Sequence, residues 1–145
     1  MLWESIGENI QVETKGDNWE ESIKIASKPM IEKKIIEERY VEAMIKNIKK
    51  LGFFVVLREY LAMPHARPEE GAMETGISFL KVNNPVKYGN EDVYLIFVLA
   101  SKDMESHTSI LMELAELFQD DEVIERLIKT DTLDEIKEII KNYNN

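Results

Sequence analysis

Val93 to Ala100 reads Val-Tyr-Leu-Ile-Phe-Val-Leu-Ala, a run without a single charge that is apolar at odd and even positions alike. A β-strand presents successive side chains to opposite faces, so a strand of this composition has to be covered on both sides. The rest of the chain must supply helices above and below it. The expected fold is therefore α/β, a mixed β-sheet sandwiched between α-helices in an α/β/α arrangement. This is also the longest apolar run, and it falls far short of the roughly 20 residues needed to span a bilayer as a helix. The N-terminal MLWESIGENI has neither the basic nor the apolar region of a signal peptide, which points to a cytoplasmic protein.

Helices can be placed around that strand from periodicity and capping residues. Asp17 and Asn18 are candidate caps for a helix from Trp19 that carries Trp19, Ile23 and Ala26 on one face and ends near Pro29. A second amphipathic helix is predicted from about Ile35 to Lys50, with Val41, Met44, Ile45 and Ile48 as its buried stripe and Gly52 as its stop. Tyr40, Met44 and Ile48 share helical spacing and read as core. Phe53 to Leu57 is predicted as a strand and, after a loop at His65 to Gly76, so is Ile77 to Val82, with Val93 to Ala100 third and central.

Asp103 is placed to cap a helix to about Gln119, with His107 in the first turn and His107, Leu111, Leu114 and Phe118 on one inward face. Asp120 or Asp121 opens a short helix through Val123, Ile124 and Leu127, and Thr132 opens a last one with Leu133, Ile136 and Ile140. The order is ααβ, ββ, ααα. Without a repeat or linker, residues 1–145 are expected to form one domain, with the terminal KNYNN as a frayed end.

Composition narrows the chemistry. There is no cysteine, hence no disulfide, thiolate metal site or cysteine nucleophile. Two histidines are too few for a structural zinc site, so neither a metal nor a cofactor is expected. Eighteen basic residues against 28 acidic ones give a net charge of −10, which opposes nucleic acid and anionic membrane over most of the surface but leaves room for a local anion site. No glycine-rich nucleotide loop, serine nucleophile elbow or metalloprotease motif is present. Pro68-Glu69-Glu70-Gly71 reads as a solvated turn without a catalytic role.

The two histidines stand out. His65 lies in Leu61-Ala62-Met63-Pro64-His65-Ala66-Arg67-Pro68, where an apolar stretch ends between two backbone-restricting prolines. A lone histidine beside a strand end is ordinarily structural. The stiff loop, the neighbouring Arg67 and a second histidine at a predicted helix N-terminus point instead to a phosphate site. An imidazole with a reference pKa of about 6.5 is a workable nucleophile near neutral pH. A neutral His107 could donate an N–H to a phosphoryl oxygen on His65; the alternative for His107 is a capping or packing role.

At these residues the chain resembles the mannitol and fructose class of phosphotransferase-system enzyme IIA domains, from about Met1 to Asn142. Leu61 to Pro68 resembles the family's active-site signature. Further similarity lies in Thr75-Gly76-Ile77-Ser78, in Pro85-Val86 before Gly89, in Leu95 to Ala100, in Glu105-Ser106-His107 and in Val123-Ile124-Glu125-Arg126-Leu127. The resemblance implies that His65 is the phosphorylated residue, through Nε2, and that His107 is the second active-site histidine. Mannitol-type members carry an arginine on the preceding helix, where Met44-Ile45-Lys46-Asn47 places Asn47; Lys46 or Arg67 is then left to supply the charge. That departure, and the Ala66-Arg67-Pro68 continuation, resemble the ascorbate-type branch.

The implied function is a phosphocarrier that takes a phosphoryl group from phospho-HPr on His65 and passes it to a IIB component, on cysteine in this class, during sugar uptake. Contact with the membrane IIC component would run only through IIB. An apolar rim around Met63 and Pro64 would suit transient docking. The rival reading is a IIA-like regulatory module whose phosphorylation state controls a transcription regulator.

Overall fold

The computed structural model describes residues 2–103 and 105–143. Among these described residues six α-helices, α1 (Leu2–Ile6), α2 (Trp19–Glu32), α3 (Glu38–Leu51), α4 (Thr108–Phe118), α5 (Asp121–Lys129) and α6 (Leu133–Asn142), enclose five strands. The strands are β1 (Ile10–Glu13), β2 (Val56–Arg58), β3 (Tyr60–Ala62), β4 (Gly76–Tyr88) and β5 (Glu91–Ala100), in the spatial order β1-β4-β5-β3-β2. The sheet is mixed: β1 runs parallel to β4 and β3 parallel to β5, while the β4–β5 and β2–β3 pairs are antiparallel.

The strand that is apolar on both faces sits in the middle of the sheet. Its Leu95, Phe97 and Leu99 enter a core closed by α1, α4, α5 and α6, and its Ile96, Val98 and Ala100 enter a second core closed by α2 and α3. Each large apolar side chain buried in this way contributes about 1.5–3 kcal/mol. Phe79 of β4 stacks on Phe97 with ring centroids 4.2 Å apart, locking the two long strands together within one core.

Three short elements fall outside the sequence expectations: α1, β1 and β3, of five, four and three residues. None is long enough to show a period. Phe53 to Leu57 is not a strand throughout. The ladder begins at Val56, and the Phe53 ring instead packs edge-on against Trp19 and near Tyr88. The strand predicted from Ile77 to Val82 runs on to Tyr88.

The first predicted helix does not stop at Pro29 but continues to Glu32. Pro29 cannot donate to the Ile25 carbonyl one turn back. The Gln11 side-chain amide of β1 donates to that carbonyl at 2.7 Å instead, so the missing bond is replaced from the sheet. Asn18, Asp120 and Thr132 cap α2, α5 and α6 through their side-chain oxygens. Asp103 spends its carboxylate earlier than expected, on the Glu105 and Ser106 amides, so α4 starts only at Thr108. Lys141 and Asn142 are helical rather than frayed, and Asn144 and Asn145 lie outside the described residues.

Among the described residues, no helix is long and apolar enough to cross a membrane. Topology already marks one place on the sheet. β3 and β5 are parallel neighbours, so the loops leaving Ala62 and Ala100 emerge side by side at the same edge, where open α/β sheets bind ligands.

Candidate functional site

The loop Met63 to Arg67 leaves β3 at that edge and is held by several backbone bonds. The Met63 amide donates to the Val55 carbonyl at 2.8 Å, and the Leu99 amide of β5 donates to the Pro64 carbonyl at 3.1 Å. Tyr40, from the first turns of α3, ties the rest. Its hydroxyl accepts from the Ala66 amide at 3.0 Å and donates to the Leu99 carbonyl at 2.8 Å. Burial pushes the phenol up to about 12, so the hydroxyl keeps its proton. Sequence spacing identified Tyr40 as core, which it is, but gave no sign of the role of its oxygen.

Gly71 makes the approach of this loop to α3 possible. At φ 128° it lies in the region that favours glycine, and a Cβ there would stand 3.0 Å from the Tyr40 backbone nitrogen.

His65 is half-buried, and its Nδ1 lies 2.8 Å from the Met63 carbonyl oxygen. A carbonyl only accepts, so Nδ1 carries the hydrogen and the neutral ring keeps its lone pair on Nε2. The edge of the ring meets Phe54 at 5.7 Å between centroids, which fixes its plane from the other side. Phe54 is exposed, whereas Met63 and Pro64 are buried. Met63 and Pro64 therefore do not form the exposed apolar rim expected of them, Met63 being drawn into the core beneath the sheet, and the exposed apolar side chain beside His65 is Phe54.

His107 stands at the N-cap of α4, one residue before the helix, and makes no capping bond through its side chain. Its Nδ1 lies 3.0 Å from Ser101 Oγ, and Ser101 Oγ also bonds the Asp103 carbonyl. Thr75, immediately before β4, joins this loop through the Ser106 hydroxyl and the Lys102 amide. The Asp103 carboxyl is held below the usual carboxylate range, first by the Ser106 amide and then by that of Glu105.

The two loops enclose a cleft of about 200 Å³ lined by Tyr40, His65, Arg67, Ser101, Asp103 and His107, among others. Larger grooves, of about 630 and 610 Å³, lie against α5 and α6 and between α2 and α3, and neither holds a histidine. The small cleft thus brings together three of the five residues singled out from sequence. Arg67 reaches it while paired with Glu69 at 2.6 Å, both side chains being exposed. Such a pair is worth only about 0–1 kcal/mol, so Arg67 can exchange Glu69 for a more highly charged anion at small cost.

Lys46 and Asn47 are not among the residues lining the cleft. Lys46 is exposed and Asn47 half-buried on α3, with Lys46 about 9 Å farther along the helix axis than Tyr40 at 1.5 Å per residue. Ser101 and Asp103 were missed as site residues. The available signal was their position immediately after a central strand, beside the loop that follows its parallel neighbour.

The family of phosphoenolpyruvate-dependent sugar phosphotransferase system EIIA 2 domains matches residues 7–143. The chain belongs to this family. The ascorbate-specific EIIA component of Escherichia coli strain K12 is 30% identical to this EIIA chain over 149 residues, covering 99% of the chain and 97% of that protein. The mannitol-specific cryptic enzyme IIA CmtB of Escherichia coli, solved in solution, superimposes with a TM-score of 0.90 at 30% identity, covering 96% of this chain and 97% of that one. Enzyme IIA for mannitol from Escherichia coli, solved in complex with phosphorylated IIB, gives 0.78 at 28% identity, covering 93% and 95%. Membership, the mixed sheet and the helical layers thus agree with the reading made from Leu61 to Pro68 and the motifs around it.

Proposed function

We propose that this EIIA chain is a phosphotransferase that carries a phosphoryl group on Nε2 of His65, accepting it from phospho-HPr and passing it to a IIB component in cytoplasmic steps of sugar uptake. The observation that carries this reading is the bond from His65 Nδ1 to the Met63 carbonyl, which leaves a lone pair on Nε2 in the cleft shared with Arg67 and His107. In the loading step that lone pair forms the new N–P bond. The N–P bond of the donor histidine breaks, and its electron pair stays on the donor imidazole. The onward step reverses these roles, with a IIB cysteine thiolate as attacking group.

The protein has little covalent work to do beyond holding the nucleophile and balancing charge. Arg67 and His107 border the cleft and take the second task. Arg67, rather than Lys46, replaces the charge that Asn47 lacks. The IIA relative bound to phosphorylated IIB supports the onward partner, and contact with a membrane IIC would pass through that partner. Full-length similarity to the ascorbate-specific component, together with Ala66-Arg67-Pro68, supports the ascorbate-type branch.

The test is incubation with phosphoenolpyruvate, enzyme I and HPr, followed by intact-mass measurement. One acid-labile phosphate is expected on the wild type and, more slowly acquired, on His107→Ala, with none on His65→Ala. An unmodified wild type beside active controls refutes the carrier reading. Loading without onward transfer to any IIB would favour the regulatory module.

A further inference from the structure

We infer that Ser101 is a positioning residue that fixes the ring tautomer of His107, so that His107 takes up a proton whenever His65 is phosphorylated. This rests on the carrier reading of the site. Ser101 Oγ has one proton and three partners within reach, the Asp103 carbonyl oxygen, His107 Nδ1 at 3.0 Å and, farther off, Ser106 Oγ at 3.4 Å. The carbonyl can only accept, so the hydroxyl proton points to Asp103 and a lone pair faces the imidazole. Nδ1 of His107 therefore carries hydrogen, and the neutral ring has only an acceptor left at Nε2. Phosphoryl oxygens are acceptors too. A neutral His107 held in this way cannot donate to them.

One added proton removes the conflict. With both nitrogens protonated, His107 keeps its bond to Ser101, gains a donor at Nε2 and brings a positive charge into the cleft. The other titratable and charged groups lining the cleft offer one further donor, Arg67, which must first give up Glu69 and adds to the donor at His107 rather than replacing it. Arg67, from the loop after β3, is paired with Glu69, Asp103 is an anion bonded to backbone amides, Tyr40 from α3 is committed to Leu99, and His65 is the acceptor itself. The balance is simple. The phosphoryl group arrives on the His65 Nε2 lone pair, solvent delivers one proton to His107 Nε2, and both depart when the group moves on.

The tautomer can be read by two-bond proton–nitrogen correlation on ¹⁵N-labelled protein without phosphate, at a pH where the ring is neutral. The wild type is expected to show Nδ1 protonated and Nε2 unprotonated, Ser101→Ala to move toward the Nε2–H form, and Ser101→Thr, which keeps the hydroxyl, to retain the wild-type pattern. Loading from a common HPr donor is then measured from neutral to mildly alkaline pH. Uptake of one extra proton makes the wild-type loading constant, divided by that of Ser101→Ala, fall up to tenfold per pH unit. A wild-type ring in the Nε2–H form overturns the inference even if Ser101→Ala does not fold, and so does an unchanged tautomer and slope in a folded Ser101→Ala. Failure of both proteins to load phosphate would instead count against the carrier reading, leaving the tautomer result to decide the role of Ser101.

Discussion

Replacing Tyr40 by phenylalanine removes one oxygen from a fully buried side chain and leaves two backbone groups without their partner, the Leu99 carbonyl and the Ala66 amide. A buried group stranded in this way costs about 1–3 kcal/mol. Water can reach part of the Ala66 side of the loop, so the two losses do not add in full, and a total of about 2 kcal/mol is expected. That is roughly a 30-fold change in the folding equilibrium. It corresponds to a fall in Tm of about 6 °C for a chain of this size. Urea denaturation should show a lower midpoint at unchanged slope, since the buried area is nearly the same. Hydrogen exchange adds the local readout, with the Ala66 amide losing protection while the centre of β5 keeps it.

A second arm separates the hydroxyl from mere packing. Because burial raises the Tyr40 pKa from 10.0 to about 12, its contribution is fully present below pH 10 and is lost as pH rises toward 12. Tyr40→Phe should lack that part of the alkaline loss and retain the part from the other tyrosines shifted upward, the buried Tyr88 above all and the more exposed Tyr60 and Tyr143. A variant within about 0.5 kcal/mol of the wild type, with Ala66 still protected, would refute this account of how the His65 loop is held.

Gln11→Ala should cost about 1–2 kcal/mol by stranding the Ile25 carbonyl that Pro29 cannot serve. Pro29→Ala restores a backbone donor one turn along, so the double variant should recover most of that loss, and additivity in a double-mutant cycle would dismiss the explanation. For Asp103 the folded pKa is lowered, so its contribution is present above the unfolded value of about 3.9 and is lost as pH falls through the folded one. Asp103→Asn keeps an acceptor oxygen for the Glu105 and Ser106 amides, so the amide shifts of those two residues should stay constant in acid where the wild type titrates; an identical acid transition in both proteins would rule this out.

What could be read from the sequence follows from how local each cause is. Val93 to Ala100 states in its own composition that it needs two covered faces, and Asn18, Gly52, Asp120 and Thr132 end or begin helices through atoms a few residues away. Pro29 was misleading because its remedy, Gln11, comes from another element, on a strand too short to announce itself. The site divides along the same line. The His65 loop was legible because its prolines, its histidine and Arg67 are contiguous, whereas Tyr40 and Ser101 act through single oxygens whose partners are fixed only when β3 and β5 lie side by side. Periodicity classifies Tyr40 by its ring, since the ring is what the helix buries, and says nothing of the hydroxyl. The two candidate histidines can therefore be named from sequence, but their protonation cannot. Which nitrogen is free on each is decided by a carbonyl for His65 and by a hydroxyl for His107, and on the proposed function that difference makes one ring ready to accept a phosphoryl group while the other must first gain a proton to support it.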